Sequence, residues 1–135
     1  MSYAVAGALQ AAVYQQLRAD AVLAALVGPA VYDAVPPGPL AGTYVSLGPE
    51  DVADASDKTG AGAVHDFVIS VITDAAGFAT AKAAAAAVSD ALVGADLVLA
   101  RGRLVGLWFL RAKARRVEKA DMRRIDLVFR ARVEG

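Results

Sequence analysis

Hydrophobic and polar positions alternate most strictly near the end of the chain. Ile125, Leu127, Phe129, Ala131 and Val133 fall on one face while Arg124, Asp126, Arg130 and Arg132 fall on the other, the period of two of a half-buried strand. Upstream, RLVGLWFLRAKARRV reads as its antiparallel partner, joined through a polar turn at 118–121, so residues 103–133 form a long β-ribbon. The first arm is apolar on both faces over 104–110, and then Arg111, Lys113 and Arg115 share a face with Val105, Leu107 and Phe109. A buried face that turns basic partway has left the globule. The ribbon is therefore expected to project past its sheet, with Arg115, Arg116, Arg123 and Arg124 flanking the tip.

The same patterning sets out the rest of the chain. Val5, Leu9, Val13 and Leu17 recur every fourth residue and predict a first helix, with Ser2 as its cap. Asp20 caps a short second helix, AVLAALVG, closed by Gly28 and Pro29. Residues 31–42 read as a short extended piece and a proline-glycine connector. Residues 43–47 read as a strand that Pro49 ends or places at an edge. The polar stretch 50–63 predicts a long loop or hairpin tip. It leads into a central strand over 64–73, where His65, Phe67, Ile69, Val71 and Thr73 share one face. GFATAKAAAAAVSDALVG is a strong helix because alanine is the best helix former, with Phe78, Ala81, Ala85, Val88 and Leu92 inward and Gly94 at its end. A short strand is expected at 97–99. The order α-α-β-β-α-β-β-β predicts an α+β fold, an antiparallel sheet with the helices packed on one face.

Length makes this one domain over 1–135, large enough to bury a core without staples. With no cysteine there is no disulfide framework, thiolate nucleophile or cysteine-bound zinc. The apolar fraction of 57% is swollen by alanine, and no window holds the roughly 18 uninterrupted apolar residues of a membrane span. The start, MSYAVAGALQ, lacks the basic opening of a signal peptide. A soluble protein with no membrane partner is expected.

Net charge is zero, yet residues 1–99 carry 3 bases against 10 acids and residues 100–135 carry 11 against 4. Such polarity serves a polyanion-binding tail, or lets the basic end of one copy meet the acidic part of the next, or simply marks solvated faces.

Candidate chemistry is sparse. His65, the single histidine, sits in a strand pattern that suits a hydrogen-bonded structural residue. Asp51, Asp54 and Asp57 stand three apart without the spacing or terminal glutamate of a calcium loop. Thr59-Gly60-Ala61-Gly62 lacks the Gly-Lys-Ser/Thr ending of a phosphate loop, and no serine lies in a Gly-x-Ser-x-Gly elbow. Trp108, among Leu107, Phe109 and Leu110, reads as a core or interface anchor, and Tyr14 as a core-edge residue whose hydroxyl meets the backbone. Neither an enzyme nor a cofactor is expected. The basic ribbon could neutralise phosphates, but no aromatics are interleaved for base stacking, so any DNA contact would ignore sequence.

Taken in order, LRADAVLAALVG with VYDAVPPG, YVSLG, DKTGAGAVHDFVISV, GFATAKAAAAAVSDAL, GRLVGLWFLRAKARR and FRARVEG resemble the tail terminator, or tail completion, proteins of long-tailed phages and gene transfer agents. The alanine-rich style is most similar to the gene transfer agent branch. Gly42-Thr43 before Tyr44 departs from the pattern, since relatives tend to place a proline there.

The resemblance implies a structural virion component at the head–tail junction of a virion or gene transfer agent particle, assembled in the cytoplasm of the producing cell. Copies would form a homo-oligomeric ring, expected to be a hexamer, that caps the tail tube and receives the head connector (stopper) protein. DNA would pass through the channel without sequence recognition. On exposure and charge, Arg111, Lys113, Arg115, Arg116, Arg123 and Arg124 are expected to contact a neighbouring copy or the tail tube protein. Residues 51–62, with Asp54, Asp57 and Lys58, form the expected docking loop. The alternative is a nonspecific DNA-binding accessory protein using the same basic ribbon.

Overall fold

The computed structural model describes residues 3–58, 60–118 and 120–135. Three helices and five strands are present among them, in the order α1 (Ala6–Ala19), α2 (Ala21–Val27), β1 (Val31–Tyr32), β2 (Thr43–Asp54), β3 (Gly62–Thr73), α3 (Ala79–Leu92), β4 (Arg103–Val117) and β5 (Met122–Glu134). The α+β class holds, as does the separation of helices from sheet. The strands lie in the order β1-β2-β3-β5-β4. All neighbours run antiparallel except β1 and β2, which pair in parallel through Val31 with Val45 and Tyr32 with Ser46. The sheet is therefore mixed. The extended piece at the start of 31–42 is a strand of that sheet, whereas 97–99 stays outside it.

Each helix is placed by its apolar stripe. Val5, Leu9, Val13 and Leu17 are buried along α1 as their spacing requires. The expected cap, Ser2, lies outside the described residues. Asp20 accepts the Leu23 backbone N–H at 2.9 Å, capping α2, and Gly28 ends it with φ 62°. In α3 the alanines at 81, 84, 85, 87 and 91 are buried with Val88 and Leu92, so their small side chains let the helix axis approach the sheet closely. Phe78, expected inward, is half-buried at the start of this helix. Across the sheet a row of rings fills the core side: Phe67 and Phe129 stack at 5.8 Å and Phe109 meets Phe129 edge-on at 5.9 Å. Fully burying a ring such as Phe129 contributes about 1.5–3 kcal/mol.

Two strands run differently from their expected course. β2 does not stop at Pro49 but continues to Asp54, with a register shift between Leu47 and Glu50 that absorbs Gly48 and Pro49. A proline is tolerated there because β1 has already ended and no strand needs its missing N–H. A Cβ on Gly48 would lie 3.2 Å from the Val68 carbonyl oxygen, so the close crossing favours glycine. The polar stretch is thus the end of a hairpin.

The ribbon also stays in the sheet. β5 pairs with β3 from Gly62–Glu134 to Thr73–Arg123, leaving only 117–122 beyond the shared register. The expectation of a projecting ribbon came from counting faces without bulges. The β4–β5 pairing shifts between Leu104 and Gly106 and again between Phe109 and Arg111. The second shift, at Leu110, inverts the alternation. Ala112 and Ala114 then pair with buried Leu127 and Ile125 on the helix side, while Arg111, Lys113 and Arg115 pair with Val128, Asp126 and Arg124 on the open face.

Candidate functional site

β4 is the terminal strand of the sheet, and from Arg111 to Arg116 every side chain is exposed. Its first half supplies the apolar part of the surface. Val105, Trp108 and Phe109 are 44%, 47% and 44% exposed. Residues 104–110 are apolar on both faces, but an edge strand with helices on one side can bury only part of that surface. Trp108 is accordingly a surface residue and not part of the core. Its ring folds over Gly106, where a Cβ would overlap the indole.

The six expected contact residues separate into two groups. Arg111, Lys113 and Arg115 line the open face and make no hydrogen bond or ion pair among the described residues. Arg116 lies on the helix side of the edge and donates to Asp121 at 3.1 Å. Arg123 and Arg124 turn inward to their own fold. Arg123 donates to the Ala75 carbonyl at 3.1 Å and lies 6.0 Å from the Phe78 ring. Arg124 donates to Asp126 at 2.9 Å and to Ser70 Oγ at 3.1 Å. Register explains this, because Arg123 and Arg124 sit on the inner strand β5, opposite Thr73 and Ile72.

The open face carries a polar lattice between β3 and β5. Arg130 donates to Asp66 from Nε and Nη2 along one guanidinium edge, and this hydrogen bonding, helped by the charges of Arg130 and Arg111, holds the Asp66 carboxyl below the usual range against the effect of burial. At Asp126 burial acts to raise the pKa, but the hydrogen bonds from Ser70 and Arg124, with the charges of Arg124 and Arg115, outweigh it and the net shift is downward.

The docking loop is shorter and better tied than its composition predicts. Asp54 ends β2; Asp57 and Lys58 lie in the tip. Ser56 Oγ donates to Asp54 at 2.7 Å and accepts the Gly62 N–H at 3.1 Å, and the Ser56 bond lowers the Asp54 pKa. Gly60 N–H reaches Asp57 at 3.0 Å, and Arg132 donates to the Ala55 carbonyl at 3.0 Å. All three site residues are exposed. Glu50 and Asp51, also on β2, extend the acidic surface, and Glu50 was hidden by the expectation that the strand ends at Pro49.

His65 is fully buried on the helix side of β3. Its Nδ1 is 3.1 Å from Glu50 Oε2, while Nε2 has no partner among the described residues. Glu50 also accepts from the Tyr3 hydroxyl at 3.2 Å, and its charge raises the tyrosine pKa. Tyr14 accepts from Arg18 at 2.9 Å in place of the expected backbone contact. Among the described residues no three His, Asp or Glu side chains converge on a metal-sized site, and no helix is long and apolar enough to cross a membrane.

A chain in the solved virion of a native gene transfer agent (GTA) particle is similar to this one, at 98% identity and a TM-score of 0.93, over 99% of this chain and 100% of that one. No curated protein matches. The family model described as "Tail completion protein gp17" matches residues 11–134. That match spans both helical and sheet layers, from α1 to the last residue of β5, and the chain belongs to the tail completion protein gp17 family.

Proposed function

We propose that this chain is a structural component of a gene transfer agent or phage particle, acting as a tail terminator at the head–tail junction. Copies circle into a ring, expected to be a hexamer, that caps the tail tube and offers its opposite side to the head connector, with DNA passing through the centre. The reading is carried by the near-identity to a chain of a native gene transfer agent particle. The geometry supports it. The surface is organised as an exposed basic edge strand and an acidic hairpin.

On this reading Arg111, Lys113, Arg115 and Arg116 meet a neighbouring copy or the tail tube ring. Arg123 and Arg124 hold the strand beneath them. The hairpin end, with Asp54, Asp57 and Lys58, meets an adjacent ring. Particles produced without the chain test the proposal: tubes of uneven length and heads left unjoined are expected. Uniform tails with attached heads would refute it.

A further inference from the structure

The two sides of the sheet end in opposite charge. β4 carries Arg103, Arg111, Lys113, Arg115 and Arg116 and no acid. On the far side β1 covers β2 only at Val45 and Ser46, so from Leu47 onward β2 is itself the outer strand, with Glu50, Asp51 and Asp54 and no base. Three strand spacings, about 14 Å, separate β2 from β4. That exceeds the screening length of about 8 Å at physiological ionic strength, so the two charge sets do not neutralise each other within one chain.

Part of the basic charge is answered internally. Arg103 pairs with Glu134 and Arg116 with Asp121. Arg111, Lys113 and Arg115 make no hydrogen bond or ion pair among the described residues, and the charges of Arg111 and Arg115 reach Asp66 and Asp126 only as minor influences beside those carboxylates' own arginine partners. Charge on an edge strand commonly serves only to repel other strands. That role does not call for Val105, Trp108 and Phe109 to stand exposed on the same strand. Aromatic anchors flanked by arginines are the composition of a protein interface. Trp108 lies on the open face and Phe109 on the helix side, so a partner seated on this edge would be gripped from both sides.

We propose that the β4 edge of one copy seats on the acidic β2 edge of the next, Arg111, Lys113 and Arg115 facing Asp51 on the open face and reaching round the strand end to the exposed Asp54 on the helix side, with Trp108 and Phe109 as apolar anchors. The contact joins unlike patches, so each copy keeps one of each free and repetition builds a ring, where the rotation between copies closes, rather than a two-fold dimer. It rests on the ring-forming reading above.

Charge exchange tests it by light scattering on purified chain. Arg111→Glu with Lys113→Glu should cut the ring species at least tenfold, and so should Asp51→Lys with Asp54→Lys. A chain carrying all four substitutions, or an equimolar mixture of the two variants, should recover rings to within twofold of the unaltered protein. Rings that survive either pair, or that fail to return in the fourfold variant when it is folded by circular dichroism, overturn the contact. If the fourfold variant is unfolded, carbodiimide coupling of unaltered assemblies decides: Lys113 joined to Asp51 or Asp54 of a second copy supports the proposal, and Lys113 joined only within its own chain or elsewhere on the neighbour overturns it. Unaltered protein that forms no ring in solution or in particles would instead overturn the ring reading itself.

Discussion

Arg130 and Asp66 face each other across β3 and β5 in a two-pronged pair, Nε donating to Oδ1 at 2.8 Å and Nη2 to Oδ2 at 2.9 Å. The pair ties the two central strands on a face that no helix covers. Because the Asp66 pKa is lowered in the fold, its contribution is fully present above the unfolded carboxylate value of about 3.9 and is lost as pH falls through the folded value. Asp66→Asn should therefore lower the Tm at pH 7 and leave a gap from the unaltered protein that closes below about pH 3.9. Thermal unfolding across that range measures it. A gap independent of pH would mean that the carboxylate charge contributes nothing.

Glu50 is the hydrogen-bond partner of the buried His65 Nδ1. Removing it by Glu50→Ala leaves both ring nitrogens unsatisfied in the core, which costs about 1–3 kcal/mol. His65→Leu together with Glu50→Ala removes the stranded polar group and should recover most of that loss. Urea unfolding of the single and double variants measures the difference. Equal losses in both would show that the histidine ring is not held by this bond.

Gly106 lies under the Trp108 indole, where a Cβ would overlap the ring. The ring is half exposed and can swing outward, so Gly106→Ala should cost only about 1 kcal/mol, at the low end of overpacking. Its main effect is on position, and Trp108 is the single tryptophan. The emission maximum should move to longer wavelength as the indole enters water, and the assembled fraction should fall with it. An unchanged spectrum would place the ring elsewhere.

Free DNA separates the ring reading from a nonspecific DNA-binding accessory protein. Phosphate neutralisation by the six expected contact residues, Arg111, Lys113, Arg115, Arg116, Arg123 and Arg124, would give a log–log salt slope of about −5. The ring reading expects weak binding and a shallow slope, because these cations meet protein carboxylates. Titrating salt against a short duplex of arbitrary sequence distinguishes them. A steep slope with tight binding at low salt would favour the accessory protein.

Much of the fold was legible because its signals are local. The stripe from Val5 to Leu17, the Asp20 cap, the alternation along β5 and the alanine helix each follow from spacing within a few residues, and the structure buries those side chains as expected. The family was legible too, from pieces in order along nearly the whole chain. What could not be read was set by partners distant in sequence. Val31 and Tyr32 become a strand only because Val45 and Ser46 lie beside them, and β2 runs past Pro49 because its neighbour has ended. The faces along β4 were hidden by the Leu110 bulge, since one unpaired residue moves every later side chain to the face opposite the one that simple alternation assigns. Arg123 and Arg124 looked equivalent to Arg115 and Arg116 in the sequence, but one pair is on an inner strand and the other on the edge.

That bulge gives the last prediction. Deleting Leu110 would restore strict alternation from Phe109 onward. With the pairing beyond it unchanged, Arg111, Lys113 and Arg115 keep Val128, Asp126 and Arg124 as their partners and stay on the open face, and Ala112 and Ala114 stay beside Lys82, Ala85, Ala86 and Ser89 of α3. The deletion removes the extra residue and its local twist without burying a cation, so it should cost only about 1–2 kcal/mol. Leu110→Ala keeps the residue count, and with it the bulge, and should cost less. The two variants differ little in apolar surface lost, so comparing their urea midpoints isolates the effect of the bulge. A loss above about 3 kcal/mol on deletion would show that the later pairing had slipped and carried the three cations off the open face.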